Sequence, residues 1–213
     1  DASHAIGASY NNFKVGSCKY SDITIFSFHP VKIITTGEGG AVITNNEKIY
    51  KKIKLLRTHG ITKSNSNSVG PWYYEMKNLG YNYRITDIQS ALGANQLKKV
   101  KTFLIKRNKV AKYYDSAFQT ESTIITPSNS VNISHAYHLY PLQIDFEKYR
   151  IKRKEFFETM YNLGFNLQVH YIPVHLQPYY AKRFKYDKSE LQNSVAFYDR
   201  EVSIPIYPNL DIV

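Results

Sequence analysis

The sequence predicts an α/β chain folded as two lobes. Three observations predict this. Short apolar runs bounded by turn residues alternate with stretches of helical apolar spacing. The character of the chain changes after Pro127, where strand-helix-strand alternation sets in again. At 213 residues and 43% hydrophobic content, there is enough apolar material for one sizeable core or for a larger and a smaller lobe. The expected division is residues 1–119, ending on a long connecting helix, and residues 120–213 as a smaller α/β or α+β lobe.

The elements follow in order. Ile23 to Phe28 reads as a buried strand, with Ile23, Ile25 and Phe26 apolar between turn residues. Ala41 to Thr44 is the next strand. Gly37, Gly39 and Gly40, just before it, open backbone conformations closed to other residues. Asn45 or Asn46 caps a helix in which Ile49, Ile53 and Leu56 recur at helical spacing, ending near His59-Gly60. Thr62 to Gly70 is Ser/Asn-rich and reads as a mobile surface loop. Thr86-Asp87-Ile88-Gln89 is a capping box. It opens a long helical pattern running through Leu92 and Val100 toward Tyr114, with bends expected near Gly93 or Lys101. Beyond Pro127, His135 to Asp145 reads as a strand, Lys148 to Leu163 as a helix and Gly164 as its stop. Asn166 to Ile172 reads as a strand and Asp187 to Asp199 as a helix. Val202 to Ile206 reads as a last edge strand, because Pro205 cannot donate to a central ladder.

Several classes of function are set aside by composition. The single cysteine, Cys18, rules out a disulfide framework and any Cys-rich metal site, so no metal ligands are assigned. No apolar run approaches the roughly 20 residues that span a bilayer. With no signal-peptide pattern at its start, the expected location is cytoplasmic. The net charge of +11 is spread along helices rather than gathered in blocks. It reads as a solvated lysine-rich surface or as attraction for an anionic substrate. No zinc-finger spacing, RNA-binding aromatic motif or basic repeat supports a nucleic-acid partner.

The chemistry-bearing stretch is Ser27-Phe28-His29-Pro30-Val31-Lys32, followed by Thr36-Gly37-Glu38-Gly39-Gly40. A lysine placed after a buried strand and before a glycine turn loses hydration. That lowers its pKa toward the nucleophilic neutral amine, as a Schiff-base lysine of a pyridoxal enzyme requires. Ser27, five residues earlier, offers a hydroxyl to an anion. Asp1 precedes Lys32 by 31 residues, room for one loop and one strand, and supplies the carboxylate such a cofactor needs at its ring nitrogen. His4 is the next polar group, and its bland reading is a satisfied core histidine.

These residues carry a resemblance. Asp1-Ala2-Ser3-His4-Ala5, Ser27 to Lys32, Thr36 to Gly40, Asn82-Tyr83-Arg84-Ile85-Thr86-Asp87-Ile88-Gln89-Ser90-Ala91-Leu92-Gly93 and His170-Tyr171-Ile172-Pro173-Val174-His175 resemble the DegT/DnrJ/EryC1 family of pyridoxal-phosphate sugar aminotransferases. Trp72 to Met76 and His170 to Tyr180 look closest to its pseudaminic-acid branch. The resemblance implies part of a fold-type I transferase, aspartate-aminotransferase-like. This would be the end of the large mixed-sheet domain, plus the small C-terminal domain. It implies pyridoxal 5'-phosphate as cofactor, a UDP-linked 4-keto-6-deoxy sugar as substrate and L-glutamate as amino donor. It also implies a homodimer whose active sites are shared between subunits.

The same resemblance implies roles. Lys32 would carry the cofactor and move the proton, and Asp1, His4, Ser27 and Asn82 would bind the cofactor. Gln168, Val169, His170 and Tyr171 would line the sugar-nucleotide site, with Tyr83, Arg84 and His175 as further candidates. Retention of Lys32, where sugar-deoxygenating relatives carry histidine, implies transamination. The abrupt start and the lack of a closing helix after Ile206-Tyr207-Pro208 lead to the expectation of a fragment, inactive by itself. The alternative of another class is a truncated, non-catalytic relative acting as a binding or interaction module.

Overall fold

The computed structural model describes residues 1–63, 69–184 and 191–211. In chain order its strands are β1 (Ser9–Tyr10), β2 (Phe13–Lys14), β3 (Thr24–Ser27), β4 (Gly40–Ile43), β5 (Ile61–Thr62), β6 (Glu75–Met76), β7 (Ile124–Ile125), β8 (Ile133–Ser134), β9 (Tyr140–Ile144) and β10 (Glu201–Ile204). The helices are α1 (Glu47–Leu56), α2 (Asp87–Leu97), α3 (Val100–Ala117), α4 (Arg153–Asn162), α5 (Pro178–Arg183) and α6 (Gln192–Arg200), with a 3-10 turn over Val174–Leu176. They form two compact units: Asp1–Lys101 with Asn132–Ser134, and Thr102–Val131 with His135–Val213. The expected helix from Thr86 toward Tyr114 is interrupted at Lys98 and Lys99, close to the anticipated bend at Lys101. Nearly all of α3 therefore packs in the second unit, whereas the sequence division after residue 119 put it with the first.

In the first unit β3 and β4 pair antiparallel, from Thr24 opposite Ile43 to Ser27 opposite Gly40. α1 starts where Asn46 predicts it. The Asn46 side chain accepts the N–H groups of Lys48 at 2.9 Å and Ile49 at 3.3 Å, two donors that the first helical turn leaves open. Thr86 and Gln89 form the reciprocal capping box of α2. The β1–β2 hairpin was not anticipated. Its two-residue loop, Asn11-Asn12, has φ of +47° and +65°, the paired left-handed conformation that matches strand twist in tight hairpins. β8 pairs with β1 on its other side. The Thr62 to Gly70 loop reading falls largely on residues 64–68, outside the described residues.

In the second unit an antiparallel sheet of order β10-β9-β7 carries the core, which selects the α+β alternative for this lobe. Along β9, Tyr140, Leu142 and Ile144 are buried at the period of two that a half-buried strand imposes. Val110 and Ala111 of α3, Val202 of β10, Tyr137, Leu167 and Ile206 complete the cluster, with Tyr114, Phe156 and Met160 among the residues packed against it. Arg107 is buried beside this cluster. Its Nη1 donates to the carbonyls of Tyr137 at 2.9 Å, His138 at 3.3 Å and Ile206 at 2.8 Å. Burial pushes its pKa below the ordinary guanidinium value.

Several boundaries differ from the sequence reading. The His135 to Asp145 strand shortens to Tyr140–Ile144, because the His135 Nδ1 accepts the Tyr137 N–H and Tyr137 sits at φ +45°. The helix expected from Lys148 begins at Arg153, after turns closed by Lys148 N–H on Asp145 Oδ1 and Arg150 N–H on Glu147 O. Gly164 does stop α4, at φ +87°. Asn166 to Ile172 contributes a single bridge, Gln168 opposite Ser203. β10 ends at Ile204, before Pro205, at the margin of its sheet as expected. The helix expected over Asp187 to Asp199 appears as α6, and its first residues, up to 190, lie outside the described ones.

Candidate active site

The loop between β3 and β4 is built to hold a defined shape. Phe28 N–H donates to Gly39 O at 2.9 Å, and Thr36 N–H and Thr35 Oγ1 both donate to Phe28 O, at 3.0 and 2.9 Å. Ile33 and Ile34 are buried and pin the loop beside Lys32. α2 clamps it from the side. Gln96 Oε1 accepts Thr35 N–H at 3.0 Å, and Gln89 Nε2 donates to Glu38 O at 2.9 Å. Between these two, a Cβ on Gly93 would stand 2.8 Å from Thr36 Cγ2, so only glycine lets helix and loop meet this closely. Gly39, at φ +150°, would bring a Cβ to 2.5 Å from Thr36 Oγ1.

Lys32 sits partly buried in this loop, its N–H closing a turn on His29 O at 3.0 Å. Burial lowers its pKa from the ordinary lysine value. His29 Nε2 lies 3.8 Å from Glu38 Oε1 across the loop. Ser27 ends β3 opposite Gly40, and its Oγ accepts the His29 N–H at a long 3.5 Å. Asp1 is placed beside the same strand, because Ala2 N–H donates to Ile25 O at 2.9 Å. One Asp1 carboxylate oxygen accepts Ser3 N–H at 2.8 Å, and the residue is exposed. His4 is half-buried on the turn that follows.

Asn82 is exposed and bridges Thr58. Tyr83, exposed, donates its N–H to Arg57 O at 2.9 Å and stacks on Tyr81 with ring centroids 4.9 Å apart. Tyr83 and Arg84 line a cavity of about 680 Å³ together with Gly39, Gly40, Tyr50 and Arg57. Neither Lys32 nor Asn82 is in its wall.

The remaining candidates lie in the second unit. Gln168 and Ser203 exchange main-chain hydrogen bonds of 3.2 and 2.8 Å, which seats residues 168–170 along β10. Val169 and His170 are half-buried, and Tyr171 is exposed with its ring edge-on to His170 at 4.6 Å. His175 lies in the 3-10 turn. Two residues to which the sequence reading gave no site role hold His170: Glu201 and Ser203, both buried on β10. In the sequence they show only as two polar residues alternating with apolar ones, a pattern that names no cross-strand partner. The second role of Gln89, gripping the loop as well as capping α2, had no local signal. Among the described residues no group of three or more His, Cys, Asp or Glu is placed to hold a metal ion, and no helix is long and apolar enough to cross a membrane.

Comparison with known proteins bears on this arrangement. The DegT/DnrJ/EryC1/StrS aminotransferase family matches residues 1–212. The UDP-4-amino-4,6-dideoxy-N-acetyl-beta-L-altrosamine transaminase of Campylobacter jejuni serotype O:2 is 43% identical over 212 residues, covering 100% of this chain and 54% of that protein. The structure of Helicobacter pylori PseC, an aminotransferase involved in the biosynthesis of pseudoaminic acid, superposes with a TM-score of 0.89 at 36% identity over 100% of this chain and 54% of that one. The PLP-form of a putative sugar aminotransferase, Spr1654 of Streptococcus pneumoniae, gives a TM-score of 0.86 at 29% identity over 99% of this chain and 53% of that one. The chain spans about half the length of the curated relatives it matches. The expected fold, part of a fold-type I transferase of mixed α/β build, is borne out.

Proposed function

The chain belongs to the DegT/DnrJ/EryC1/StrS aminotransferase family, and on that premise we propose that it carries the reactive-lysine part of a pyridoxal-phosphate-dependent aminotransferase acting on a UDP-linked 4-keto-6-deoxy sugar. The observation that carries this is Lys32 itself. It is a partly buried lysine with a lowered pKa, in a loop fixed by Phe28, Thr35 and Thr36 and clamped by Gln89 and Gln96.

The residues present fit the cofactor in their chemistry. An amine, a carboxylate and a hydroxyl are supplied by Lys32, Asp1 and Ser27, and β3 ties all three to one strand and the loop leaving it. Lys32 would hold the cofactor's aldehyde carbon, Asp1 its ring nitrogen and Ser27 its phosphate, with His4 against the ring. Asn82 would reach the phosphate of a neighbouring subunit's site in a homodimer. When bound, pyridoxal phosphate supplies an electron sink for the carbon that loses its proton.

The protein's own work is then positional and acid–base. Lys32, whose ammonium form is disfavoured by desolvation, would carry the proton between the cofactor's aldehyde carbon and the sugar C4. Asp1 would pair with the ring nitrogen and favour its protonated form. Gln168, Val169, His170 and Tyr171, with Tyr83, Arg84 and His175, would line the sugar-nucleotide site, and L-glutamate would be the amino donor. A cytoplasmic location goes with this reading. The names of the Campylobacter and Helicobacter relatives support a sugar of the pseudaminic-acid route.

The test uses the full-length gene product that contains this chain. Borohydride reduction followed by peptide mapping is expected to place the reduced cofactor on Lys32, and Lys32→Ala to abolish both attachment and amino transfer. Attachment at any other lysine would overturn the assignment. Presenting candidate UDP-4-keto sugars to the same protein identifies the acceptor.

A further inference from the structure

The segment that starts at Gln168 leaves β10 sooner than an antiparallel ladder would. Gln168 and Ser203 exchange both main-chain hydrogen bonds, Gln168 N–H to Ser203 O at 3.2 Å and Ser203 N–H to Gln168 O at 2.8 Å. In such a ladder hydrogen-bonded pairs recur at every second residue, so His170 and Glu201 are due to form the next one. The two meet differently. The His170 N–H donates to the Glu201 side chain, at 2.8 Å from Oε2, and the Glu201 main-chain carbonyl accepts Arg153 Nη2 at 2.7 Å. A carboxylate and a guanidinium stand where two main chains would have paired.

Both substitutes are themselves held. Glu201 is completely buried, and its other oxygen, Oε1, accepts the Ser203 hydroxyl at 2.6 Å, so the side chain is tied at both oxygens. Arg153 opens α4, with its guanidinium carbon 4.9 Å from the Tyr198 ring centre and 5.8 Å from that of Phe157. A planar guanidinium is suited to lying against aromatic rings. The main-chain N–H and C=O that forgo each other each gain a side-chain partner, so the pairing ends here by construction rather than by fraying.

We propose that Glu201 and Arg153 are positioning residues that end the pairing of residues 168–171 with β10 and fix how far His170 and Tyr171 stand from it, which sets this wall of the sugar-nucleotide site. The working quantity is the length of the glutamate side chain. Its carboxylate reaches across a gap that a main-chain hydrogen bond would have closed. Charge is secondary, because an amide oxygen of the same reach accepts the His170 N–H as well, and Ser203 Oγ can accept from the amide NH₂. The substrate half of this proposal rests on the function proposed above, whereas the pairing half stands without it.

The test is hydrogen exchange of the full-length holoenzyme, resolved to single amides, in wild type and three variants at position 201. Glu201→Gln keeps both reach and acceptor, Glu201→Met keeps reach without an acceptor, and Glu201→Asp keeps the acceptor one methylene short. The His170 amide is expected to exchange as slowly in Glu201→Gln as in wild type. In Glu201→Met and Glu201→Asp it should exchange at least about ten-fold faster, the loss of one buried hydrogen bond. A His170 amide unchanged by Glu201→Met would show that the carboxylate is not its partner and overturn the pairing half. Exchange in Glu201→Gln as fast as in Glu201→Met, or in Glu201→Asp as slow as in wild type, would overturn the primacy of length. Glu201→Gln and Glu201→Met decide the matter even if Glu201→Asp fails to fold.

KM for the UDP-sugar and kcat are measured on the same proteins. Glu201→Met and Glu201→Asp are expected to raise KM about ten-fold with kcat changed less than about two-fold, and Glu201→Gln to restore KM. Partial unfolding would instead lower the active fraction, and so kcat, at constant KM. Equal KM in all four proteins, or a fall in kcat alone, removes the substrate half. Reduced cofactor found away from Lys32 would sink the functional reading and leave the exchange result standing.

Discussion

At Lys32 the decisive quantity is the cost of a charge that has lost part of its water. Burial disfavours the ammonium form, so the folded protein holds this amine at a lower pKa than an ordinary lysine. The sign gives a test. At any pH below the ordinary lysine range, Lys32 carries a larger neutral fraction than a lysine in a short unstructured peptide, and only the neutral amine reacts. In the cofactor-free full-length protein, acylation followed by mass mapping across a pH series should therefore half-label Lys32 at lower pH than the lysine of a short reference peptide in the same sample. Labelling of the two in step would show that the loop gives no activation. This residue was legible in the sequence because its two sides contradict a surface lysine: a buried strand before it and a glycine turn after it. Glu201 and Ser203 were not. Their significance lies in a partner, His170, thirty-odd positions away, and a strand pattern alone does not name a cross-strand partner.

Among the elements, α2 joins local capping to the shape of the reactive loop. Thr86 Oγ1 accepts Gln89 N–H at 3.3 Å, Gln89 Oε1 accepts Thr86 N–H at 3.0 Å, and the other end of the same amide grips Glu38 O. Thr86→Ala should cost about 1 kcal/mol in thermal or denaturant unfolding, the usual worth of an N-cap. Gln89→Glu keeps the capping oxygen but replaces the donor to Glu38 O with an acceptor. It should therefore loosen the Lys32 loop, read as faster amide exchange at Thr35 and Thr36, with less loss of helix stability than Thr86→Ala. If both variants exchange and melt alike, capping and clamping are not separable. The cap at Asn46, the capping box and the Gly164 stop were all readable, since each is a local side-chain or φ preference. The break at Lys98-Lys99 was displaced in the reading because both flanks have helical spacing. The Asn166 to Ile172 strand was overread, since only Gln168 finds a main-chain partner on β10. The β1–β2 hairpin was missed because Asn11-Asn12 lacks the glycine that usually marks its turn, although asparagine tolerates the left-handed conformation both residues adopt.

The two compact units differ in how completely each buries its own apolar surface. The second has one contiguous cluster, from Val110 and Ala111 through Tyr140, Leu142 and Ile144 to Val202 and Ile206. The first leaves Ile25, Val42 and Ile43 of its β3–β4 pair exposed, along with Trp72, Leu79, Tyr83 and Ile88. A two-stranded antiparallel pair is at best marginally stable in water, while three strands with an apolar face hold together. For the 213-residue chain expressed by itself, hydrogen exchange should therefore be slowest at the amides of β9 and β10. The β3–β4 amides should exchange at least about ten-fold faster, as sub-global opening of the less buried unit. Leu142→Ala, which empties part of the contiguous cluster, should cost about 2–5 kcal/mol in the second unit and erase its slow amides first. Ile25→Ala, at an exposed position, should change stability by about 0.5 kcal/mol or less. The opposite order would mean that the β3–β4 pair draws its stability from surface this chain already contains. Equal exchange in the two units would mean that they open as one. In the full-length protein, the functional reading requires the Lys32 loop to be rigid enough to hold a reactive amine in place. The β3–β4 amides should then gain protection relative to the isolated chain while those of β9 and β10 change little, and exchange at matched pH and temperature checks both.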